Sequence, residues 1–466
     1  MKSSFSTTGS GPPLQLLDIG HAEYSGLIDP DSAFWALVRT EKIAEALNDG
    51  TLLASYRRKR PEFAAEMQQL RFAIGPSAVY LNPTERCNLN CTYCYLPEEM
   101  RRWGQHMSPE RLFEALERLK QYFRKTVPDD RRPQVIFHGA EPLLNREAVF
   151  AGIQRFAADF HFGVQTNATL LDDHAVEFLT QQGVSIGISL DGAVPRVADR
   201  ARKNWSGKGV YRQVVAAMER LEGYGAWSVI CTVTQANMRQ LPELVEFLHD
   251  HHVPTCLLNV VRCTLPAARH LKPADADAAR YYLAALERTH ELLMQTGRKL
   301  VVANFANVLL AILAPTARRL MCDIAPCGGG RRFFAVAATG DVFPCSEFIG
   351  LPAFRGGNLF ENDLAEILAS RPFHNVTSRK IEQIEPCSKC PIRHFCGAPC
   401  PAEAYTLNGG TDQIGAFCEF YREQARYAFR LIADGRESAF LSDDWDAGMT
   451  TTFDLGTESD GTYPQS

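Results

Sequence analysis

The chain has 466 residues, of which 45% are apolar and 22% charged, a composition typical of a globular protein with a large core. Its 49 basic and 54 acidic residues give a net charge of −5, which argues against a broadly basic nucleic-acid binder. No apolar run approaches the roughly 18 residues of a membrane span, and the N-terminus has no hydrophobic signal core. We therefore expect a cytoplasmic protein with neither a nucleic-acid nor a membrane partner.

Cysteine is the residue type with the most uneven distribution. There are fourteen cysteines: none in residues 1–86, three in residues 87–94, and eight in residues 322–418. In a reducing compartment this clustering indicates metal ligation rather than a disulfide framework.

Residues 1–75 form a cysteine-free segment that opens with a loose Gly/Ser/Pro stretch. Apolar pieces at 14–17 and 33–38, followed by helical patterns near 40–48 and 60–71, predict a small α/β appendage. Two interpretations stay open: a cap that packs on the main domain, or a peptide-docking module of the winged-helix type.

Residues 76–314 alternate apolar, strand-like runs with helical patterns, which predicts parallel βαβ units in either an open barrel or a doubly wound sheet. Ser108 and Pro109 are typical of a helix start, and Gly297 is typical of the end of a long helix beginning near 274. The six predicted strands are Ala78–Leu81, Val135–His138, Phe162–Gln165, Ile186–Leu190, Ser228–Val233 and Cys256–Val260.

Residues 315–430 are rich in Cys, Gly and Pro. This composition is typical of a domain that is stabilised by bound metal as much as by an apolar core. Residues 431–466 are predicted to be a disordered acidic tail, since seven acidic residues and no Lys or Arg follow Arg436.

Cys87, Cys91 and Cys94 form a C-x3-C-x2-C motif just after the first predicted strand of the βα region. Three thiolates on one short loop can hold three irons of a [4Fe–4S] cluster and leave the fourth iron open. Zinc is the competing interpretation, but it prefers four protein ligands and no fourth ligand is nearby in the sequence.

The motif, with Tyr93 before its last cysteine, resembles the signature of the radical S-adenosylmethionine (SAM) enzymes. The resemblance covers residues 76–300 and implies a partial (β/α)6 barrel in an overall α/β fold. It also implies that the open iron binds SAM, which is cleaved to a 5′-deoxyadenosyl radical that abstracts a substrate hydrogen. Three companion segments at strand ends, together with Arg202 eleven residues after Asp191, fit the family. They imply these SAM-binding residues: Gly139, Ala140, Glu141, Gln165, Asn167, Ser189 and Arg202.

The C-terminal cysteines resemble the SPASM domain, the auxiliary-cluster extension of radical SAM peptide maturases. That resemblance implies two further [4Fe–4S] clusters, three in all; a structural zinc ribbon is the alternative. One auxiliary cluster would be held by Cys387, Cys390, Cys396 and Cys418, and the other by Cys327, Cys345, Cys400 and, as its fourth ligand, Cys322. The three cysteines left over, Cys231, Cys256 and Cys263, are predicted to be buried structural residues.

The SPASM resemblance implies a peptide or small-protein substrate and a flavodoxin- or ferredoxin-type electron donor. Sulfatase-type relatives carry Asp directly after the cysteine of Gly-x4-Cys, where this chain has Ser346 and then Glu347, a candidate base. A surface glutamate with a structural role is the simpler interpretation of Glu347.

Residues 321–334 and 345–348 resemble the maturation enzymes of quinohemoprotein amine dehydrogenase. This implies thioether links from Cys sulfur to Asp or Glu methylene carbon in the dehydrogenase small subunit. The alternatives are another cross-linking or sulfatase-type maturase, and a non-catalytic iron–sulfur electron-transfer or scaffold protein.

Overall fold

A computed structural model describes residues 13–48, 50–318, 320, 322, 324–396, 400–443 and 445. The predicted loose stretch at the N-terminus up to residue 12 and the predicted tail from residue 446 lie outside the described residues. In the described part of the chain, no helix combines the length and apolarity that crossing a membrane requires.

The N-terminal unit is a three-stranded antiparallel sheet followed by two helices. Its strand order is β1-β2-β3. The second strand was not predicted, because a Tyr-Ser-Gly sequence interrupts its apolar pattern. The elements are β1 (Gln15–Leu17), β2 (Tyr24–Ile28), β3 (Trp35–Arg39), α1 (Ile43–Asn48) and α2 (Gly50–Phe72).

Specific contacts fasten this N-terminal unit to the rest of the protein. The indole N–H of Trp35 donates to the Ile312 carbonyl (2.9 Å), and its ring packs edge-on against Phe429. The buried guanidinium of Arg71 binds both carboxylate oxygens of Glu382, at 2.7 and 2.9 Å. A bidentate pair of this kind fixes orientation as well as distance. The unit therefore packs on the main body, and a peptide-docking role stays a prediction.

The central sheet has ten strands in the order β10-β9-β8-β7-β6-β5-β4-β11-β12-β13. Strands β4 to β9 are parallel neighbours in chain order with no reversal, as in an open barrel; a doubly wound sheet would reverse direction at a switch point. The βα strands are β4 (Ala78–Leu81), β5 (Gln134–Phe137), β6 (His161–Thr166), β7 (Ser185–Ser189), β8 (Trp227–Val233) and β9 (Thr255–Val260).

The helices of this region follow the predicted alternation. The Ser108 hydroxyl accepts from the Arg111 amide at the start of α4, and Gly297 ends α11 in the left-handed conformation (φ 70°). Helix α4 buries one face, which includes Leu112, Leu116 and Leu119. The helices are α3 (Glu98–Trp103), α4 (Pro109–Thr126), α5 (Arg146–Phe156), α6 (Asp173–Gln181), α7 (Pro195–Ala201), α8 (Tyr211–Arg220), α9 (Leu241–Asp250), α10 (Pro266–Arg269), α11 (Asp275–Thr296) and α12 (Ala303–Leu313).

The C-terminal region extends the same sheet. Strand β11 runs parallel to β4, with Phe333 opposite Ala78, and β12 and β13 continue antiparallel. The two regions on either side of residue 315 therefore share one sheet, so the Cys345 segment lies beside the first βα strand. The elements are β10 (Val301–Val302), β11 (Phe333–Val336), β12 (Asp341–Phe343), β13 (Gly357–Asn358), α13 (Leu364–Leu368), α14 (Arg371–Thr377), α15 (Arg393–Cys396), α16 (Pro401–Asn408) and α17 (Cys418–Ala433).

The prediction of a disordered tail from residue 431 is wrong for residues 431–441. Helix α17 continues to Ala433, and a 3-10 turn follows at Glu437–Phe440. The Phe440 ring is buried against Tyr427 and Phe305. Burial of one aromatic ring thus anchors a segment whose acidic composition alone predicted disorder.

Candidate active site

The first cysteine cluster lies on the loop after β4, at the carboxyl end of the parallel sheet. The Cys87 amide donates to the Arg101 carbonyl (2.9 Å), and the Cys94 amide donates to the Cys91 carbonyl (3.2 Å). The Leu89 amide points at the Cys87 sulfur, 3.4 Å away. The backbone therefore holds the loop in a defined conformation around the three thiols.

Burial dominates the chemistry of these thiols. It raises the pKa of Cys87 to about 12 and that of Cys91 to about 11, and it also raises the pKa of Cys94. The charges of Cys91 and Cys94 raise the pKa of Cys87 further. The three sulfurs are therefore close enough to interact electrostatically. Three half-buried thiols with raised pKa values are unfavourable as free thiolates but suit iron, which binds the deprotonated form. The donor chemistry therefore fits a [4Fe–4S] cluster with one open iron.

The segment after β5 brings backbone close to this loop. Gly139 adopts φ +102°, which disfavours any L side chain, and a Cβ there would overlap the Asn82 side chain. Ala140 follows it, half-buried. The glycine thus lets β5 turn tightly beside β4, as the predicted SAM-binding segment requires.

Glu141 is fully buried at the end of β5. Its carboxylate accepts from the Leu143 amide (3.1 Å), the Thr166 hydroxyl (2.7 Å) and the Asn167 amide (2.7 Å). Burial raises its pKa, and these hydrogen bonds oppose that rise. Glu141 therefore ties the ends of β5 and β6 together; its predicted contact with the SAM ammonium stays a prediction.

Asp191 is the centre of a buried network at the end of β7. Its carboxylate accepts from the Tyr93 hydroxyl (2.5 Å), from Arg202 Nε (3.0 Å) and from the Thr232 amide (2.9 Å). Arg202 Nη1 lies 3.9 Å from the Cys91 sulfur. The predicted SAM-carboxylate contact, Arg202, is therefore held by Asp191 against the cluster loop.

The remaining predicted SAM-binding residues lie at neighbouring strand ends. Gln165 is in the last part of β6, and Ser189 is the last residue of β7, both half-buried. The Asn167 amide group donates to Asn88 Oδ1 (2.8 Å) and lies 3.8 Å from the Cys87 sulfur. The fold thus brings these residues to the cysteine loop, as strand-end placement predicts.

The C-terminal cysteines fall into two electrostatic groups. Besides burial, which raises the pKa most, the charges of Cys322 and Cys327 raise the pKa of Cys345, and the charge of Cys327 raises that of Cys400. In the second group, burial and then the charges of Cys390 and Cys418 raise the pKa of Cys387 to about 11. The charge of Cys396 acts on Tyr421, one turn into α17 from Cys418.

Both groups offer sulfur donors. Among the described residues, no three His, Cys, Asp or Glu side chains are close enough together to hold one metal ion. Cysteine thiolates are ligands of iron–sulfur clusters and of structural zinc alike. The thiol chemistry of both groups therefore fits iron–sulfur ligation, and the zinc ribbon stays the alternative.

Glu347 lies where the two cysteine regions meet. Its Oε2 atom is buried and accepts no hydrogen bond from the described residues. Burial raises its pKa to about 7; Arg262 lowers it and Glu403 raises it. Its charge also raises the pKa of Cys94 on the SAM loop and of Cys400. Glu347 is therefore half-buried with its Oε2 atom fully buried, and not the exposed glutamate of the simpler interpretation.

Two residues beside Glu347 were not predicted. Arg262 follows β9 by two residues, and its charge acts on Glu347, Cys400 and Tyr421. The Glu403 carboxylate is buried and accepts from the Cys263 amide (2.9 Å). Arg262 could have been predicted as a site residue from its position just after a predicted strand. No pattern in the sequence marks Glu403 as a site residue.

A parallel open barrel with three cysteines after its first strand defines a class of iron–sulfur enzymes. The family model of the radical SAM superfamily matches residues 81–248, and that of the SPASM iron–sulfur cluster-binding domain matches residues 327–391. An uncharacterized protein of Archaeoglobus fulgidus is 41% identical over 406 residues, 87% of this chain and 92% of that protein. The chain belongs to the radical SAM superfamily, carries a SPASM domain and is an enzyme. Both domains imply iron–sulfur clusters and SAM.

More distant relatives have assigned activities. A cysteine-type anaerobic sulfatase-maturating enzyme of Clostridium perfringens is 23% identical over 380 residues, 77% of this chain and 98% of that enzyme. The solved structure of anSMEcpe with bound AdoMet matches with a TM-score of 0.69 at 20% identity, covering 80% of this chain and 97% of that one. Streptococcus suis SuiB bound to its precursor peptide SuiA matches with a TM-score of 0.56 at 14% identity, covering 84% and 97%. These structures confirm the predicted fold.

Proposed function

We propose that this enzyme is a cytoplasmic radical SAM/SPASM peptide maturase that forms thioether links between Cys sulfur and the side-chain methylene of Asp or Glu. The proposed substrate is the small subunit of quinohemoprotein amine dehydrogenase. The proposal rests mainly on the buried, unpaired carboxylate oxygen of Glu347 between the two cysteine regions, with the cation Arg262 beside it. It is further supported by the resemblance of residues 321–334 and 345–348 to the maturation enzymes of that dehydrogenase.

The proposed cofactor arrangement uses eleven cysteines for three [4Fe–4S] clusters. Cys87, Cys91 and Cys94 would hold the SAM cluster. When bound, SAM and its cluster would supply the 5′-deoxyadenosyl radical, and an auxiliary cluster would provide an acceptor for the remaining electron. The auxiliary ligands would be Cys322, Cys327, Cys345 and Cys400 in one group and Cys387, Cys390, Cys396 and Cys418 in the other.

The residues of the chain would handle the substrate and its protons. One thioether link removes two hydrogens from the peptide, one as a hydrogen atom from carbon and one as a proton from sulfur. Glu347 Oε2 is placed to take the thiol proton, because burial keeps its affinity for protons high. Arg262 is the cation beside it that could hold the acidic side chain of the peptide.

A sulfatase-type maturase is the second candidate. It is supported by the similarity to the Clostridium perfringens enzyme and by the likeness of fold to anSMEcpe. Against it stands Ser346, which follows Cys345 where sulfatase-type relatives carry Asp. The hydroxyl of serine cannot serve as a general base at neutral pH in the way that a carboxylate can.

Mass spectrometry of a co-expressed peptide separates the candidates. We expect a loss of two hydrogens per link and cysteines that resist alkylation. A sulfatase peptide converted to formylglycine, or a loss of two hydrogens with alkylatable cysteines, would contradict the thioether proposal. Anaerobic incubation with SAM and dithionite tests the enzyme chemistry itself: absence of 5′-deoxyadenosine would leave an electron-transfer or scaffold role.

A further inference from the structure

A fully buried arginine lies beside a predicted ligand of one auxiliary cluster. Arg331 precedes β11 by two residues and has 0% of its surface exposed. Its Nε donates to the Cys327 carbonyl (2.8 Å), and its Nη1 donates to the Leu70 carbonyl in the last turn of α2 (3.0 Å). Its Nη2 is also buried and donates to none of the described residues. The protein therefore encloses a guanidinium next to a cysteine that would bind iron.

Among the described residues, no carboxylate charge acts on this cation. Burial lowers the pKa of Arg331 to about 9, which still leaves it charged at neutral pH. The charges of Arg332 and Arg71 lower this pKa further, and that of Cys327 raises it. Glu382 is not the missing partner, since both its carboxylate oxygens bind Arg71. The carbonyl end of α2 offers only about half a unit charge, and a buried cation without an anion beside it is costly.

A four-iron cluster at Cys327 would supply that anion. A cluster held by four thiolates is negatively charged, and it gains one more negative charge when it takes up an electron. At an effective dielectric constant of about 20, a unit charge about 10 Å away shifts such an equilibrium by roughly tenfold. A fixed cation at Arg331 would therefore stabilise the cluster and favour its reduced state.

We propose that Arg331 is the counter-charge of the auxiliary cluster at Cys327 and favours the uptake of one electron by that cluster. The inference rests on the three-cluster arrangement of the proposed function. It assigns to Arg331 the tuning of the acceptor for the electron that remains when a thioether link closes. Loss of its charge should accordingly change a reduction potential and not only the stability of the protein.

The test measures the reduction potentials of the auxiliary clusters in the reconstituted full chain. Cys87, Cys91 and Cys94 are replaced by Ala, so that iron remains only in the auxiliary clusters. Mediator dyes set the potential, and electron paramagnetic resonance follows each reduction step. In each step one electron passes from a dye to a cluster, and no bond forms or breaks.

Three variants separate the charge of Arg331 from its packing. Arg331→Met removes the charge, and Arg331→Lys keeps it. Arg332→Met is the matched control, because Arg332 is also enclosed (6% exposed) and burial alone lowers its pKa, to about 10.

We expect Arg331→Met to lower one auxiliary potential by about 59 mV or more, a tenfold change in the equilibrium of a one-electron couple. The other potential should stay unchanged, and Arg331→Lys and Arg332→Met should stay within about twofold of the parent equilibrium. Unchanged potentials in Arg331→Met would overturn the proposal. An equal fall in both clusters, in Arg331→Lys or in Arg332→Met would overturn it too, because it would reflect a disturbed fold and not a local charge.

Iron content covers the case in which the cluster fails to assemble without the cation. Arg331→Gln is the second neutral variant, because it keeps an N–H donor for the Cys327 carbonyl. Loss of about four irons in the Met and Gln variants, but not in Arg331→Lys or Arg332→Met, would support the counter-charge. The same loss in Arg331→Lys would contradict it.

The same measurements keep this inference separate from the proposed function. Absence of iron in the chain without Cys87, Cys91 and Cys94 would refute the three-cluster arrangement and the role of Arg331 together. Unchanged potentials with both auxiliary clusters present would remove only the role of Arg331. Mass spectrometry of the peptide treated with the parent protein decides thioether formation independently of either result.

Discussion

The buried Asp191–Arg202 pair provides the sharpest test of how the active site is held together. Replacing Asp191 with Asn removes the charge and presents an amide to the Tyr93 hydroxyl at 2.5 Å and Arg202 Nε at 3.0 Å. The Tyr93 hydroxyl can rotate to accept from that amide, but Arg202 Nε is only a donor. The guanidinium of Arg202, 8% exposed, is then left without its counter-charge.

Breaking a buried pair by removing one partner costs about 3–5 kcal/mol. For a cooperative unit of 150–250 residues, about 1 kcal/mol shifts the melting temperature by 2–4 °C, so D191N should lower it by about 6–20 °C. The assay is circular dichroism melting of the reconstituted protein at one fixed scan rate. Asp173→Asn is the matched control, because Asp173 pairs with Arg220 while 90% of its side chain is exposed. That control should melt within about 2 °C of the parent protein.

The double variant D191N/R202M identifies the cause of the loss. If the stranded guanidinium is responsible, replacing it with an apolar side chain of similar length should recover at least half of the lost melting temperature. A D191N protein that melts like the D173N protein would refute the reasoning, because it would show that the pair carries no net stability.

Three further outcomes are expected. Gly139→Ala should weaken SAM binding at least tenfold in an equilibrium binding assay, since positive φ and the Asn82 side chain leave no space for a methyl group; unchanged affinity would contradict a close approach there. Glu347→Gln should slow peptide cross-linking by about 100-fold or more while 5′-deoxyadenosine still forms; an unaltered cross-linking rate would remove Glu347 as the base. Cys322→Ala should lower iron from about twelve per chain, the content of three four-iron clusters, whereas Cys263→Ala should leave it unchanged; equal iron in both variants would show that Cys322 is not a ligand.

The fold of the βα region was predictable from sequence because its signals are local. Each of the six predicted strands overlaps an observed strand, and every predicted end lies within one residue of the observed end, with Ala78–Leu81 identical. Runs of buried apolar residues, helix caps and glycine stops act within a few residues of chain. The strand order then followed from chain order, which distinguishes the open barrel from a doubly wound sheet.

The pairing of β11 with β4 was not predictable, because it joins residues about 250 positions apart and two segments of different composition. That pairing places the Cys345 segment beside the SAM loop, where the Oε2 atom of Glu347 is buried. Likewise, the ring contacts of Phe440 anchor a segment whose charge predicted disorder. Long-range contacts of this kind leave no periodic pattern in the sequence.

The sequence by itself determined which residues are candidate ligands: eleven cysteines at motif spacings, a glycine-carboxylate segment and a series of polar strand ends. Spacing is enough for Cys87, Cys91 and Cys94, because cysteines on one loop stay together in almost any fold that holds the loop. Only the tertiary structure decided that Arg202 is held by Asp191, that the charges of Arg262 and Glu403 act on Glu347, and that the Oε2 atom of this glutamate is buried. Burial and charge pairing depend on which distant segments meet, and this is what shifts a pKa and makes a carboxylate a candidate base.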